Sequence, residues 1–262
     1  MKKTVAVSLI IALFAVVLSG CKIRDAKAGP DKLVRMCKNS NELFTTTYSK
    51  LKIPDNLRQF APVKSPEDFN VGKFILSLTT LEVNEGFLVD YVYQYRGIGA
   101  QPLLYSLPIS QKPFTNEKEF ETGKPLDFTY GIETDGTELG FLQLAMFNAL
   151  GPNFYLYWHA GINDDVVLCD IDDVEAVLDN LDQMEFGKKP DLLQKARALT
   201  IPDIEPKVKF IEKDRQVKVS MLMFTKWGGF FRRTYTFEQG FPHKILDMID
   251  TPLINYDCGI KF

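Results

Sequence analysis

The sequence predicts an α+β fold: a twisted antiparallel sheet with helices packed on one face. Three observations point there. Several segments repeat apolar residues at helical spacing. Four extended, apolar-rich runs follow one another near the C-terminus across links too short for crossovers, so they must pair antiparallel. A second strand-rich region precedes the helical middle, which leaves two lobes as an alternative to one domain. No repeat of the solenoid kind is present.

In chain order, residues 30–51 read as a helix in one or two pieces. Pro30 and Asp31 open it, with Asp31 able to cap, and Leu33, Met36, Cys37, Phe44, Tyr48 and Leu51 keep helical spacing. Residues 56–72 read as a loop holding Pro62 and Pro66. Residues 74–83 and 87–96 read as a hairpin across Asn84, Glu85 and Gly86. Residues 97–108, broken by Pro102 and Pro108, are an edge segment at best, and 113–127 are expected to be irregular. Residues 135–150 are apolar on most faces and predict a buried central helix. Residues 154–160 and 166–170 read as a second hairpin, followed by helices over 172–184 and 191–199. Strands are expected at 207–212, 216–226, 230–238 and 245–262, the last broken near Pro252.

The N-terminus has its own signature. Lys2 and Lys3 precede an apolar run over residues 5–18, interrupted only by Ser8. As a helix the run spans about 21 Å, short of the ~30 Å hydrocarbon core but right for the apolar stretch of a secretory leader. Leu18, Ser19, Gly20 and Cys21 close it. This resembles the leader and lipobox of bacterial lipoprotein precursors. The resemblance implies cleavage before Cys21, a diacylglyceryl group on its thiol and acyl chains of the palmitate class. Two or more chains anchor a protein stably in a membrane. Lys22, not Asp, follows Cys21; by the same resemblance that implies the outer membrane if the source has two membranes. Residues 1–20 are thus expected to be a signal peptide, 21–29 the lipidated cysteine and tether, and 30–262 the domain.

Composition narrows the function. Without Lys2 and Lys3, 29 basic residues face 34 acidic ones, a net charge near −5, which argues against a nucleic-acid partner. No nucleotide, zinc-hydrolase or nucleophile-elbow motif is present, and no cofactor is expected. Ser49 and Lys52 match an S-x-x-K pattern without its companion motifs.

Several residues could carry recognition or chemistry. In a strand over 154–160, Tyr155, Tyr157 and His159 share one face with Asp164 or Asp165 at its end, a weak general-base set and a possible ligand shelf. The blander reading is a half-exposed histidine in an aromatic sheet, and His243 sits in a loop with no visible partner. Asp164, Asp165, Asp170, Asp172, Asp173 and Glu175 crowd together, but the calcium-loop pattern fails and no metal is expected. Asp172 as helix cap accounts for part of the cluster. Tyr91, Tyr93 and Tyr95 alternate and could stack on a glycan, or simply suit a pleated surface. Lys207, Lys209 and Lys218, with Arg232 or Arg233, could form a basic patch or merely protect an edge.

Of the other thiols, Cys37, Cys169 and Cys258, at most one pair is expected to bridge. Three inert buried thiols are the leading expectation; if one bridge forms, Cys37 with Cys258 is favoured and Cys169 stays reduced. The expected function is a lipid-anchored cell-envelope protein, a non-enzymatic binding or scaffold module for a glycan or protein partner. The alternatives are an envelope hydrolase using His159 with Asp164 or Asp165, and an inhibitor or immunity-type protein acting through residues 101–122.

Overall fold

A computed structural model describes residues 29–97, 99–156 and 165–260. The fold is α+β, with open antiparallel sheets. Helix α1, Pro30–Tyr48, starts with proline in its first turn, where a missing N–H costs nothing. It buries Leu33, Cys37, Ser40 and Phe44 on one stripe. A short helix, α2, covers Val71–Ile75, and its cap Asn70 accepts the Lys73 N–H. Strands β1, Leu81–Val83, and β2, Phe87–Tyr95, follow. Then come β3, Ala100–Pro108, α3, Glu117–Gly123, and β4, Ile132–Thr134.

This half differs from the sequence expectation. The expected strand over 74–83 begins as helix, because the Asn70 cap starts a turn that Phe74 and Ile75 bury. β1 does not form a hairpin with β2; it pairs with β4. β2 pairs instead with β3 along its whole length, Pro102 lying opposite Tyr93 and Pro108 opposite Phe87. In a two-stranded ribbon every strand has a free edge, so proline is tolerated there. The segment expected to be irregular holds α3, capped by Asn116.

Helix α4, Glu138–Leu150, is the central helix expected. Thr137 caps it, and nine of its thirteen residues are buried. The expected strand over 154–160 does not form at its start: Phe154 and Tyr155 lie in a turn, and residues 157–164 lie outside the described residues. Strand β5, Val166–Leu168, pairs with a later strand. Helices α5, Ile171–Asp182, and α6, Leu192–Ala198, are capped by Asp170 and Asp191. Asp170 takes the capping role expected of Asp172.

The C-terminal strands are β6, Lys207–Ile211, β7, Gln216–Thr225, β8, Gly229–Glu238, and β9, Ile245–Ile254. β8 lies between β7 and β9, while β5 and β6 pair with successive parts of the other edge of β7. β9 runs on through Pro252, which lies beside a register shift. Val217, Val219, Met221 and Met223 of β7 join Tyr235 and Phe237 in the core beneath α1 and α4. Leu222, Phe224 and Phe230 point the other way, into a second core with α5, Ala198 of α6 and Cys258.

Those two faces decide the cysteines. Cys37 of α1 is bonded to Cys169, just after β5, with Cα atoms 5.7 Å apart. Cys258 is free and buried in the second core. The expectation of three inert thiols, the Cys37–Cys258 pair favoured if a bridge formed, and the reduced Cys169 are therefore all wrong. The sheet stands between Cys37 and Cys258, whereas Cys169 opens onto the α1 face.

Candidate functional site

An open cleft lies beside the edge of β2 that β3 leaves open. It is a cleft of about 380 Å³ between β2, α2 and the loop carrying Lys64. The ladder sets its geometry. Ile109 N–H donates to Gly86 O and Arg96 N–H to Gly99 O. Antiparallel alternation then turns the backbone of Val89 and Tyr91 away from β3, towards the cleft side. Tyr91 N–H is taken by Asp90 Oδ1 at 2.9 Å.

Asp90 also pairs with Lys64, and both side chains are largely buried. The loop holds Lys64 in place because its N–H donates to Thr115 O at 2.7 Å. Lys64 Nζ lies 4.7 Å from the centroid of the Tyr91 ring, a cation–π contact. Asn70 and Lys73 of α2 add polar groups, and Leu76, Val83 and Phe87 make the walls apolar. Phe87 packs on Phe241 with ring centroids 6.0 Å apart. Leu76, one of the lining residues, is 63% exposed. Chemically this is an open, mostly apolar groove with an internally paired charge at its base: it can offer apolar contact beside a few polar groups.

Behind the cleft lies a tyrosine cluster. Tyr93 Oη donates to Tyr155 O at 2.5 Å, and Phe69 N–H donates to Tyr155 Oη at 3.2 Å. Tyr155 adopts φ of +53°, a strained conformation for a residue with a side chain. Tyr91 Oη is buried with no partner among the described residues. Burial pushes the hydroxyls of Tyr91, Tyr93 and Tyr155 above the usual tyrosine range, so all three are neutral.

Tyr155 is buried and hydrogen-bonded, not set on an open shelf. Tyr157, His159 and Asp164 lie outside the described residues. Asp165 pairs with Arg233 at 3.1 Å. Tyr91 and Tyr93 face the core, which removes them as a sugar-stacking stripe. His243 does have partners: it is buried, Thr134 N–H donates to its Nε2, and its Nδ1 lies 3.4 Å from Glu238 O. Asp170 and Asp172 share Lys38, and Asp173 accepts the Cys169 N–H. Among the described residues no group of three or more His, Cys, Asp or Glu could hold a metal ion. Lys207, Lys209 and Lys218 are exposed on one sheet face. Arg232 on that face donates to Pro202 O, while Arg233 turns to the other face and pairs with Asp250. Residues 101–122 hold most of β3 and α3.

Lys64 and Asp90 escaped the sequence reading. The available signal was an aspartate inside the apolar run Phe87–Tyr95, because a carboxylate in a buried strand needs a partner. Among the described residues no helix is long and apolar enough to cross a membrane. No protein-family model matches the chain, and comparison with curated proteins and with solved structures gives no match.

Proposed function

We propose that the chain is an exported, lipid-anchored envelope protein working as a non-enzymatic binding module, with the cleft beside β2 as its recognition surface. The leader over residues 1–20, followed directly by Cys21, supports the address. The Cys37–Cys169 bridge supports it too, since structural disulfides belong to oxidising compartments. The observation that carries the binding reading is the cleft: exposed Leu76 and the apolar side chains of Val83 and Phe87 line it over the Lys64–Asp90 pair. Apolar side chains exposed around a concavity with few polar groups are suited to contact with a partner.

Two measurements test the two halves of this reading. Cys21→Ser should release the protein from membranes or leave the leader uncut; full membrane retention of a processed Cys21→Ser protein would overturn the anchor. A photo-crosslinking side chain at Leu76 or Lys73 should yield discrete adducts in intact cells, and one at the exposed Phe60 should not. Absence of adducts at both positions would overturn the cleft as the recognition surface.

A further inference from the structure

We propose that α6 and the turn before it form a membrane-contact patch that rests on anionic phospholipid. The inference deepens the lipid-anchored reading by assigning the face that the anchored domain turns to the bilayer.

The patch is an amphipathic helix worn inside out. α6 buries Ala198 and turns two polar side chains inward: Gln194 Nε2 donates to Asn255 O at 3.0 Å, and Lys195 pairs with Asp182. Its outward side carries Leu192 at 86% and Leu193 at 59% exposure, followed by Ala196 and Leu199. A soluble helix normally shows the reverse pattern. Phe186, in the preceding turn, is 76% exposed. That turn is tied to the domain, since Lys188 N–H donates to Cys258 O and Tyr256 Oη donates to Lys188 O. The apolar side chains are therefore displayed by a held structure.

Charge selects the occupant. Residues 182–199 carry Lys188, Lys189, Lys195 and Arg197 against Asp182, Glu185 and Asp191, a local charge of +1 in a chain of −3 overall, with Lys195 and Asp182 paired to each other. Lys188, Lys189 and Arg197 are exposed around the leucines. Phenylalanine and leucine interleaved with lysine and arginine match the chemistry of an anionic lipid interface, where the apolar groups enter the acyl boundary and the cations meet the headgroups. A second copy of the chain would set two positive patches against each other. The tether also favours the bilayer: from Cys21 to Pro30 the chain reaches at most ~30 Å fully extended. Attachment at Cys21 would thus hold the domain at high effective concentration against the membrane.

The test uses the mature chain, residues 21–262, carrying Cys21→Ser so that no lipid is attached. Sedimentation with vesicles of phosphatidylglycerol and phosphatidylcholine is compared with phosphatidylcholine vesicles alone. Binding should require phosphatidylglycerol and weaken as salt rises. The pairs Leu192→Asp with Leu193→Asp, and Lys188→Glu with Lys189→Glu, should each lower partitioning on the order of tenfold or more. The melting temperature should hold in the leucine pair, whose side chains are exposed; Lys189 donates to Asp182 O, so the lysine pair is compared at a temperature where its melt shows it folded. Three results would overturn the proposal: no binding to anionic vesicles at low salt, undiminished binding in both variants, or a dimer broken by the leucine pair with no vesicle binding. Because the protein tested has no lipid, failure here is separate from failure of Cys21 lipidation, which is read in cells.

Discussion

Replacing Cys37 and Cys169 together by alanine removes the covalent link between α1 and the residue that follows β5. The cost follows from the length of the loop that the bridge closes. The cysteines are 132 residues apart, and the loop-closure entropy released to the unfolded chain corresponds to about 5 kcal/mol. Measured losses for native disulfides run to ~2–5 kcal/mol, a large share of the ~5–15 kcal/mol that stabilises a typical domain. Local packing adds to the loss, since both cysteines are fully buried and Asn41 Nδ2 lies 3.4 Å from Cys169 Sγ. Cys258→Ala is the matched control; it removes a buried sulfur without opening a loop and should cost ~1 kcal/mol. Urea unfolding followed by circular dichroism reads both variants against the oxidised wild type. Peptide mapping without reduction identifies the bonded pair. A loss below ~1 kcal/mol in the double variant, or a mapped linkage to Cys258, would refute the reasoning.

Tyr91→Phe removes a buried hydroxyl that has no partner among the described residues, so stability should hold or rise slightly. Tyr93→Phe breaks the bond to Tyr155 O and should cost ~1 kcal/mol; thermal melts of the two variants check the contrast. Burial lowers the pKa of His243 below its usual 6.5. Above that value the ring is neutral in both states. As pH falls from 6.5 towards the folded value only the unfolded chain takes up the proton, so stability drops across that window. His243→Gln should flatten this slope in unfolding free energies measured from neutral to mildly acidic pH, and an unchanged slope would remove His243 as its source.

The elements legible in the sequence are those whose signal is local. The spacing of Leu33, Cys37 and Phe44 marks α1, and the apolar run Phe141–Phe147 marks α4 as a core helix. The acids before Val174 mark the start of α5, and short turns between alternating segments mark β6, β7 and β8. The candidate cleft was not legible. Lys64 sits in a proline-bounded loop and Asp90 in an apolar strand, and neither carries a motif. Their pairing spans 26 residues and depends on Thr115 holding the loop against β2.

Sequence alone therefore determined the α+β class and most of the individual helices and C-terminal strands, because periodicity and capping act over a few residues. Tertiary structure decided what lies opposite what. It paired β1 with β4 and β2 with β3, where either partner would satisfy the backbone hydrogen bonds equally. It buried Tyr91 and Tyr93, since a period of two separates the faces of a strand without saying which is core. It put Gln143 at the centre of a network, accepting from Thr80 and donating to Ser40, although one polar residue in an apolar helix names no partner. It also joined Cys37 to Cys169 and left Cys258 behind the sheet, because bridging needs two Cα atoms within about 7 Å, a condition on the folded chain and not on the order of its residues.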